Sequence, residues 1–122
     1  MEHSLEVFIN DDLIFASDGK WLYPLFELED FLRQQNCPVT SLIIKDKIVG
    51  RAAALFHVKL GLKIVKAAMM SELGKEIFDH FQVDYEYEKL VPRIACRTEE
   101  ILKNELDPEH AYFIITELAN KN

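Results

Sequence analysis

Ser41-Leu42-Ile43-Ile44-Lys45-Asp46-Lys47-Ile48-Val49-Gly50-Arg51-Ala52-Ala53-Ala54 decides the fold of this chain. An apolar strand, Leu42 to Ile44, passes through a charged turn into an alanine-rich helix that begins near Arg51, the layout of a βα unit. Open α/β sheets bind ligands outside the carboxyl ends of their strands, where helix N-termini present free N–H groups. This segment places a glycine and an arginine at that edge. Between Gly50 and Ala54 it places no cysteine, histidine or carboxylate for metal or acid-base chemistry.

Working outward, the pattern repeats on the carboxyl side. Gly61 is expected to end the helix from Arg51 to Leu60, Leu62 to Ala68 reads as the next strand, and Ser71 as the cap of a helix from Glu72 to Phe81. Val83 to Tyr87 supplies a further strand, and Leu90-Val91-Pro92-Arg93-Ile94 fits an edge strand or a loop packed over the sheet, because proline cannot donate to a central ladder. Thr98 is expected to cap a helix from Glu99 to Leu106, and Asp107-Pro108-Glu109 to open a last helix with Ala111, Ile114, Ile115 and Leu118 on one face. On the amino side, Val7-Phe8-Ile9 and Leu13-Ile14-Phe15-Ala16 flank the polar Asn10-Asp11-Asp12, the pattern of a hairpin. Leu25, Leu28, Phe31 and Leu32 then recur at helical spacing behind Pro24, and Asn36-Cys37-Pro38 ends that helix. Strands alternating with helices after an antiparallel start predict one domain over residues 1–122, a three-layer α/β/α sandwich on a mixed sheet of about five strands.

Composition agrees with a globular domain. A chain of 122 residues, 49% hydrophobic and 29% charged, buries enough surface for one core without disulfide or metal support. A net charge of -7 repels phosphate backbones, so no nucleic-acid partner is expected; Lys45, Lys47 and Arg51, and Lys59, Lys63 and Lys66, read as solvated faces. No apolar run is long enough to span a bilayer and the first residues lack the pattern of a signal peptide, so no membrane partner and a cytoplasmic location are expected. Cys37 and Cys96 belong to no CxxC pattern, and none of His3, His57, His80 and His110 pairs with another ligand at metal spacing. No metal and no cofactor are expected.

The two helix starts at Gly50-Arg51 and Ser71-Glu72 are expected side by side, forming a pocket for an anion such as a phosphate or carboxylate. The candidate ligand-binding residues are Asp46, Gly50, Arg51, Ser71, Glu72 and Arg97. Each has a plainer structural reading: Gly50 as a tight turn, Arg51 as a solvated first-turn residue, Asp46 as a turn former, Ser71 as a cap, Glu72 as a dipole partner, and Arg97 as a surface charge.

Taken together, Asp46, Val49-Gly50, Ala52-Ala53-Ala54, Ser71-Glu72, Leu90-Val91-Pro92 with Ile94 and Arg97, and Asp107-Pro108-Glu109 with Ala111-Tyr112 resemble an uncharacterised bacterial family of small proteins with the cytidine deaminase-like fold. Pro24-Leu25 also fits that pattern. The resemblance implies an α/β/α sandwich with a five-stranded mixed sheet. Zinc deaminases open one helix with His-x-Glu or Cys-x-Glu and the next with Pro-Cys-x-x-Cys. The corresponding positions here read Gly50-Arg51-Ala52-Ala53 and Met70-Ser71-Glu72-Leu73-Gly74, without a ligand for zinc. The chain also departs from the nearer family, whose pattern has a Cys-Pro-Met-Glu element after the Leu-Val-Pro segment; here Cys96-Arg97 runs into Thr98-Glu99-Glu100-Ile101, with Glu99 or Glu100 the candidate acidic member.

The expectation is therefore a cytidine deaminase-like domain that is not a zinc deaminase and binds a small nucleotide-like or anionic ligand at the carboxyl edge of the sheet. Two alternatives use the same features: a metal-independent enzyme with Asp46 or Glu72 as base and Arg51 or Arg97 orienting the substrate, and a homo-oligomer assembled through Leu90-Val91-Pro92, Tyr85 and Tyr87.

Overall fold

A computed structural model describes residues 2–35 and 38–121. Asn36 and Cys37, on which the end of the first helix was expected, lie outside the described residues. Strands β1 (Leu5–Ile9) and β2 (Asp12–Ser17) form a hairpin turned at Asn10, whose φ of 55° is a left-handed conformation that asparagine tolerates. Helix α1 (Tyr23–Gln34) follows, with Pro24 in its first turn where no N–H is required. Then come β3 (Ile43–Val49), α2 (Arg51–Lys59), β4 (Ile64–Ser71), α3 (Glu72–His80), β5 (Asp84–Val91), the short α4 (Arg97–Ile101) and α5 (Pro108–Asn120).

The sheet runs in the order β2-β1-β3-β4-β5, antiparallel from β2 to β3 and parallel from β3 to β5. A mixed five-stranded α/β fold is thus present as expected. Leu90 and Val91 complete β5, which is indeed an edge strand.

Three features differ from the expectation. Lys45 to Val49 is strand rather than turn, since Asp46 pairs in register with Leu5 and Ala67 on its two sides. The sheet is covered on one face only. Register places Val7, Ile44 and Val65 on the covered face with Asp46, Tyr85 and Phe15, and the helices meet them there: Phe31 of α1 packs on Phe15, His57 of α2 bonds Asp46, and Phe78 of α3 packs on Tyr85. The opposite face carries Glu6, Lys45, Lys66 and Glu86 in one cross-strand row, none of them buried, with Lys66 and Glu86 3.9 Å apart. Charges so placed stay in water, so no third layer covers them among the described residues. Finally, α4 begins at Arg97 after Cys96 and stops at Ile101, so Thr98 is a buried second residue and not a cap, and residues 102–106 are a turn followed by irregular chain instead of helix.

Helix α2 is the centre of the core. Every side chain from Arg51 to His57 is buried, because α3 and α5 pack along its sides and the sheet lies beneath it. Ala52, Ala53 and Ala54 permit this close approach. Phe56 anchors the outer side, edge-on to Phe26 at 4.9 Å and to Tyr112 at 5.4 Å, while the Tyr112 hydroxyl donates to Glu29 at 2.7 Å and ties α5 to α1. Truncating Phe56→Ala removes the ring shared by three helices and should cost about 3–5 kcal/mol in urea-unfolding measurements. A loss under about 1 kcal/mol would show that α5 and α1 do not depend on it.

Candidate functional site

The carboxyl end of β3 leads into α2 at Gly50, and the first free N–H of that helix, on Arg51, is already taken. The Glu99 side chain of α4 reaches in and accepts it through Oε1 at 2.5 Å, while Oε2 accepts the Ile94 N–H at 2.9 Å. Only 2% of Glu99 is exposed, so its charge is stabilised by these two backbone donors and by the positive end of α2. Gly50 makes room for it. Its φ of −95° is open to any residue, but a Cβ there would stand 2.8 Å from Glu99 Oε1 and 3.2 Å from Ile94 Cγ1.

The neighbouring helix start lies against this one without a gap. A Cβ on Gly74 would fall 2.9 Å from the Gly50 carbonyl oxygen and 3.0 Å from that of Val49, so the first turn of α3 touches the β3–α2 junction backbone to backbone. Ser71 Oγ, fully buried, accepts the Gly74 N–H at 2.9 Å and acts as the cap of α3. The anion pocket expected between the Gly50 and Ser71 starts is therefore closed. Close contact of the two backbones removes its volume, and Glu99 takes its best donor.

Arg51 also has a different role from the one expected. Its guanidinium is 1% exposed and donates to the Glu105 carbonyl through Nε (3.0 Å) and Nη2 (2.7 Å), and through Nη1 to the Leu73 carbonyl (3.1 Å) and Glu76 Oε1 (2.9 Å). Four of its five N–H donors join α2, α3 and the segment after α4. The Glu105 carboxylate braces the same segment by accepting the Leu106 and Asp107 N–H groups and meeting His110 Nδ1. Burial pushes the Glu105 pKa up, but the Asp107 N–H and the His110 ring outweigh it and hold the carboxyl below its ordinary value.

Asp46 and Glu72 lie elsewhere. Asp46 is buried under the helices and pairs through Oδ2 with His57 Nε2 at 2.9 Å, which leaves His57 Nδ1 buried without a hydrogen-bond partner. Glu72 is exposed in the first turn of α3 and lines a separate open depression with Lys75, Glu76 and Asp79. Of the six expected residues, Gly50 and Arg97 alone line the cleft that does exist.

That cleft has two compartments sharing Trp21, Cys96 and Thr98. The inner one, about 190 Å³, is apolar, with Trp21, Leu22, Ile48, Ala53 and Ile94 around the Glu99 carboxylate and Gly50. The outer one, about 390 Å³, is bordered by Tyr23, Leu118 and two cations, Arg97 and Lys121. Neither cation is ion-paired with a carboxylate among the described residues. Trp21 is held at φ 56°, an uncommon conformation for a bulky residue, and its indole meets Tyr23 edge-on at 5.3 Å. Cys96 Sγ stands 3.2 Å from Thr98 Oγ1 at the start of α4. Among the described residues no three His, Cys, Asp or Glu side chains are grouped as a metal site, and no helix is long and apolar enough to cross a membrane.

Trp21 and Lys121 escaped sequence reasoning as site residues, and Glu99 was named only as a candidate acidic member beside Glu100. The available signal was that Trp21 is the single tryptophan, placed after the turn-prone Ser17-Asp18-Gly19-Lys20. The distances in sequence from Trp21 to Glu99 and Lys121 give no comparable signal.

These features define a small α/β domain with a helix-capped cleft at the carboxyl edge of a mixed sheet. The chain belongs to the TM1506 family, described as a domain of unknown function (DUF1893), which it matches over residues 2–118. It is similar in structure to a DUF1893 family protein from Thermotoga maritima, with a TM-score of 0.82 and 23% identity over 93% of this chain and 79% of that one. At this identity the likeness shows the fold alone. No curated protein matches the chain.

The separation of structural from cleft-lining arginines is testable. Arg51→Ala should lower stability by roughly 3 kcal/mol, because it empties a buried guanidinium site and leaves the Glu105 and Leu73 carbonyls without their donors, with a fall in Tm on the order of 10 °C. Arg97→Ala, at an exposed position, should change Tm by no more than about 2 °C. Equal effects in thermal unfolding would contradict these assignments.

Proposed function

We propose that this protein is a small-ligand-binding domain of cytidine deaminase-like fold whose ligand, nucleotide-like and anionic, occupies the two-compartment cleft at the carboxyl edge of the sheet. The observation that carries this reading is the pairing of an apolar, indole-lined compartment with an outer one bearing Arg97 and Lys121. A planar ring fits the first by stacking and exclusion of water; a phosphate or carboxylate fits the second through charge-assisted hydrogen bonds. The compartments share Trp21, Cys96 and Thr98 as lining residues, and the larger one falls in the size range of ordinary ligand sites. The mixed sheet with adjacent helix starts at β3 and β4 supports the deaminase-like assignment. Zinc deaminase chemistry is not part of the proposal, since neither Gly50–Ala53 nor Ser71–Gly74 offers a cysteine or histidine.

The anion is assigned to Arg97 and Lys121 instead of Arg51 for a physical reason. Glu99 already supplies negative charge at the α2 N-terminus, and a second anion there would meet like-charge repulsion. Trp21 provides a direct reporter, being the single tryptophan and part of both compartments. Titration with a panel of nucleoside monophosphates should change its emission saturably, and calorimetry should give the same affinity. Arg97→Ala and Lys121→Ala should each weaken binding about tenfold or more at unchanged Tm. Flat emission and no heat across the panel at millimolar concentration would refute the proposal.

A further inference from the structure

We propose that Glu27 is a positioning residue for this cleft: acting through Ser17, it fixes the loop that sets the Trp21 indole against the ligand before any ligand arrives. This rests on the binding role proposed above. Trp21 lines both compartments, so the direction of its indole decides how a planar ring stacks there. That direction follows from a backbone φ of 56°, a left-handed conformation that a bulky residue keeps only where its surroundings impose it.

The constraint comes from both sides of Trp21. On the amino side stands Ser17, the last residue of β2, with only 7% of its surface exposed. Its hydroxyl donates to Glu27 Oε2 on α1 and accepts the Gly19 N–H at 3.1 Å, so it joins strand, loop and helix at one atom. Gly19 then lies against α1: a Cβ there would stand 3.3 Å from the Pro24 ring and 3.4 Å from Glu27 Oε2. On the carboxyl side Leu22 is buried, and the Tyr23 N–H donates to the Lys20 carbonyl at 3.1 Å. Only Lys20 and Trp21 separate Gly19 from Leu22, which leaves the Trp21 backbone little freedom to leave the left-handed region.

A second tie on the loop is weaker. His3 Nδ1 meets Asp18 Oδ1 at 2.9 Å, but Asp18 is exposed, and an ion pair in water adds little. Glu27 differs because its partner is buried: without its carboxylate the Ser17 hydroxyl loses its acceptor and the loop loses its fastening to α1. An indole fixed in advance needs little ordering on binding, so its fastening contributes directly to affinity.

The test uses the full chain and its single tryptophan. In time-resolved emission anisotropy the indole of the free natural protein should turn with the whole molecule. Glu27→Ala should add a fast local component, and Glu27→Gln, which keeps an acceptor for Ser17, should remove it again. Titration with nucleoside monophosphates should show Glu27→Ala binding about three- to tenfold more weakly than the natural protein, and Glu27→Gln within about twofold of it. Tm should move by no more than about 2 °C in either variant, so that general loss of structure does not produce the pattern. His3→Ala should leave anisotropy and affinity unchanged; an effect equal to that of Glu27→Ala would overturn the assignment. An indole as fixed in Glu27→Ala as in the natural protein, or a loosened indole at unchanged affinity, would overturn the role of Glu27 while leaving the binding role intact. Absence of binding by the natural protein with every nucleotide would overturn both.

Discussion

The Glu99 carboxylate, seated on the first N–H of α2 inside the protein, is the contact on which the arrangement of this edge depends. A helix start with a positive end and an unsatisfied donor cannot be buried without a partner. Here the partner comes from 48 positions along the chain, so the cap also fixes where α4 lies. Gly50 is required for that approach, and Gly74 for the contact of α3 with the same junction. One carboxylate and two missing Cβ atoms therefore set the relation between β3, α2, α3 and α4.

Arg51 works from the other side of the same residue. Its N–H goes to Glu99, and its guanidinium goes to the Glu105 and Leu73 carbonyls and to Glu76. Its partners in this region are Glu99 in the middle of α4 and Glu105 beyond its end, so α4, only five residues long, is held by contacts within it and after it. A helix of that length has little stability of its own. The cleft inherits its shape from this pinning, because Cys96, Arg97, Thr98 and Glu99 form one of its walls.

The fold was legible where burial shapes the sequence from one side. The hairpin, the helices behind Pro24, Ser71 and Asp107, and the mixed five-stranded sheet follow from periodicity and capping chemistry. The third layer was misread because parallel strands are ordinarily covered on both faces. The contrary signal lay in period two: Lys45 and Lys47 in β3, which alternate with the buried Ile44 and Asp46, and Asp84, Glu86 and Glu88 in β5 place charge on every second residue of these strands. Those charges made residues 45–48 look like a turn. The cleft was only partly legible, since an arginine next to a pocket glycine reads as a ligand arm until its donors are traced. That Glu99 would fill the expected anion seat, and that Trp21 would line the same compartment, depends on long-range contacts with no local pattern.

Amide hydrogen exchange at Arg51 and Ile94, measured by NMR in the natural protein and in Glu99→Ala, tests the Glu99 cap most directly. Both amides should be strongly protected in the first and lose that protection together in the second, while Phe56 and the rest of α2 stay protected. Fast exchange of the Arg51 amide in the natural protein, or protection unchanged by the substitution, would contradict a Glu99 cap and remove the basis for its place in the cleft.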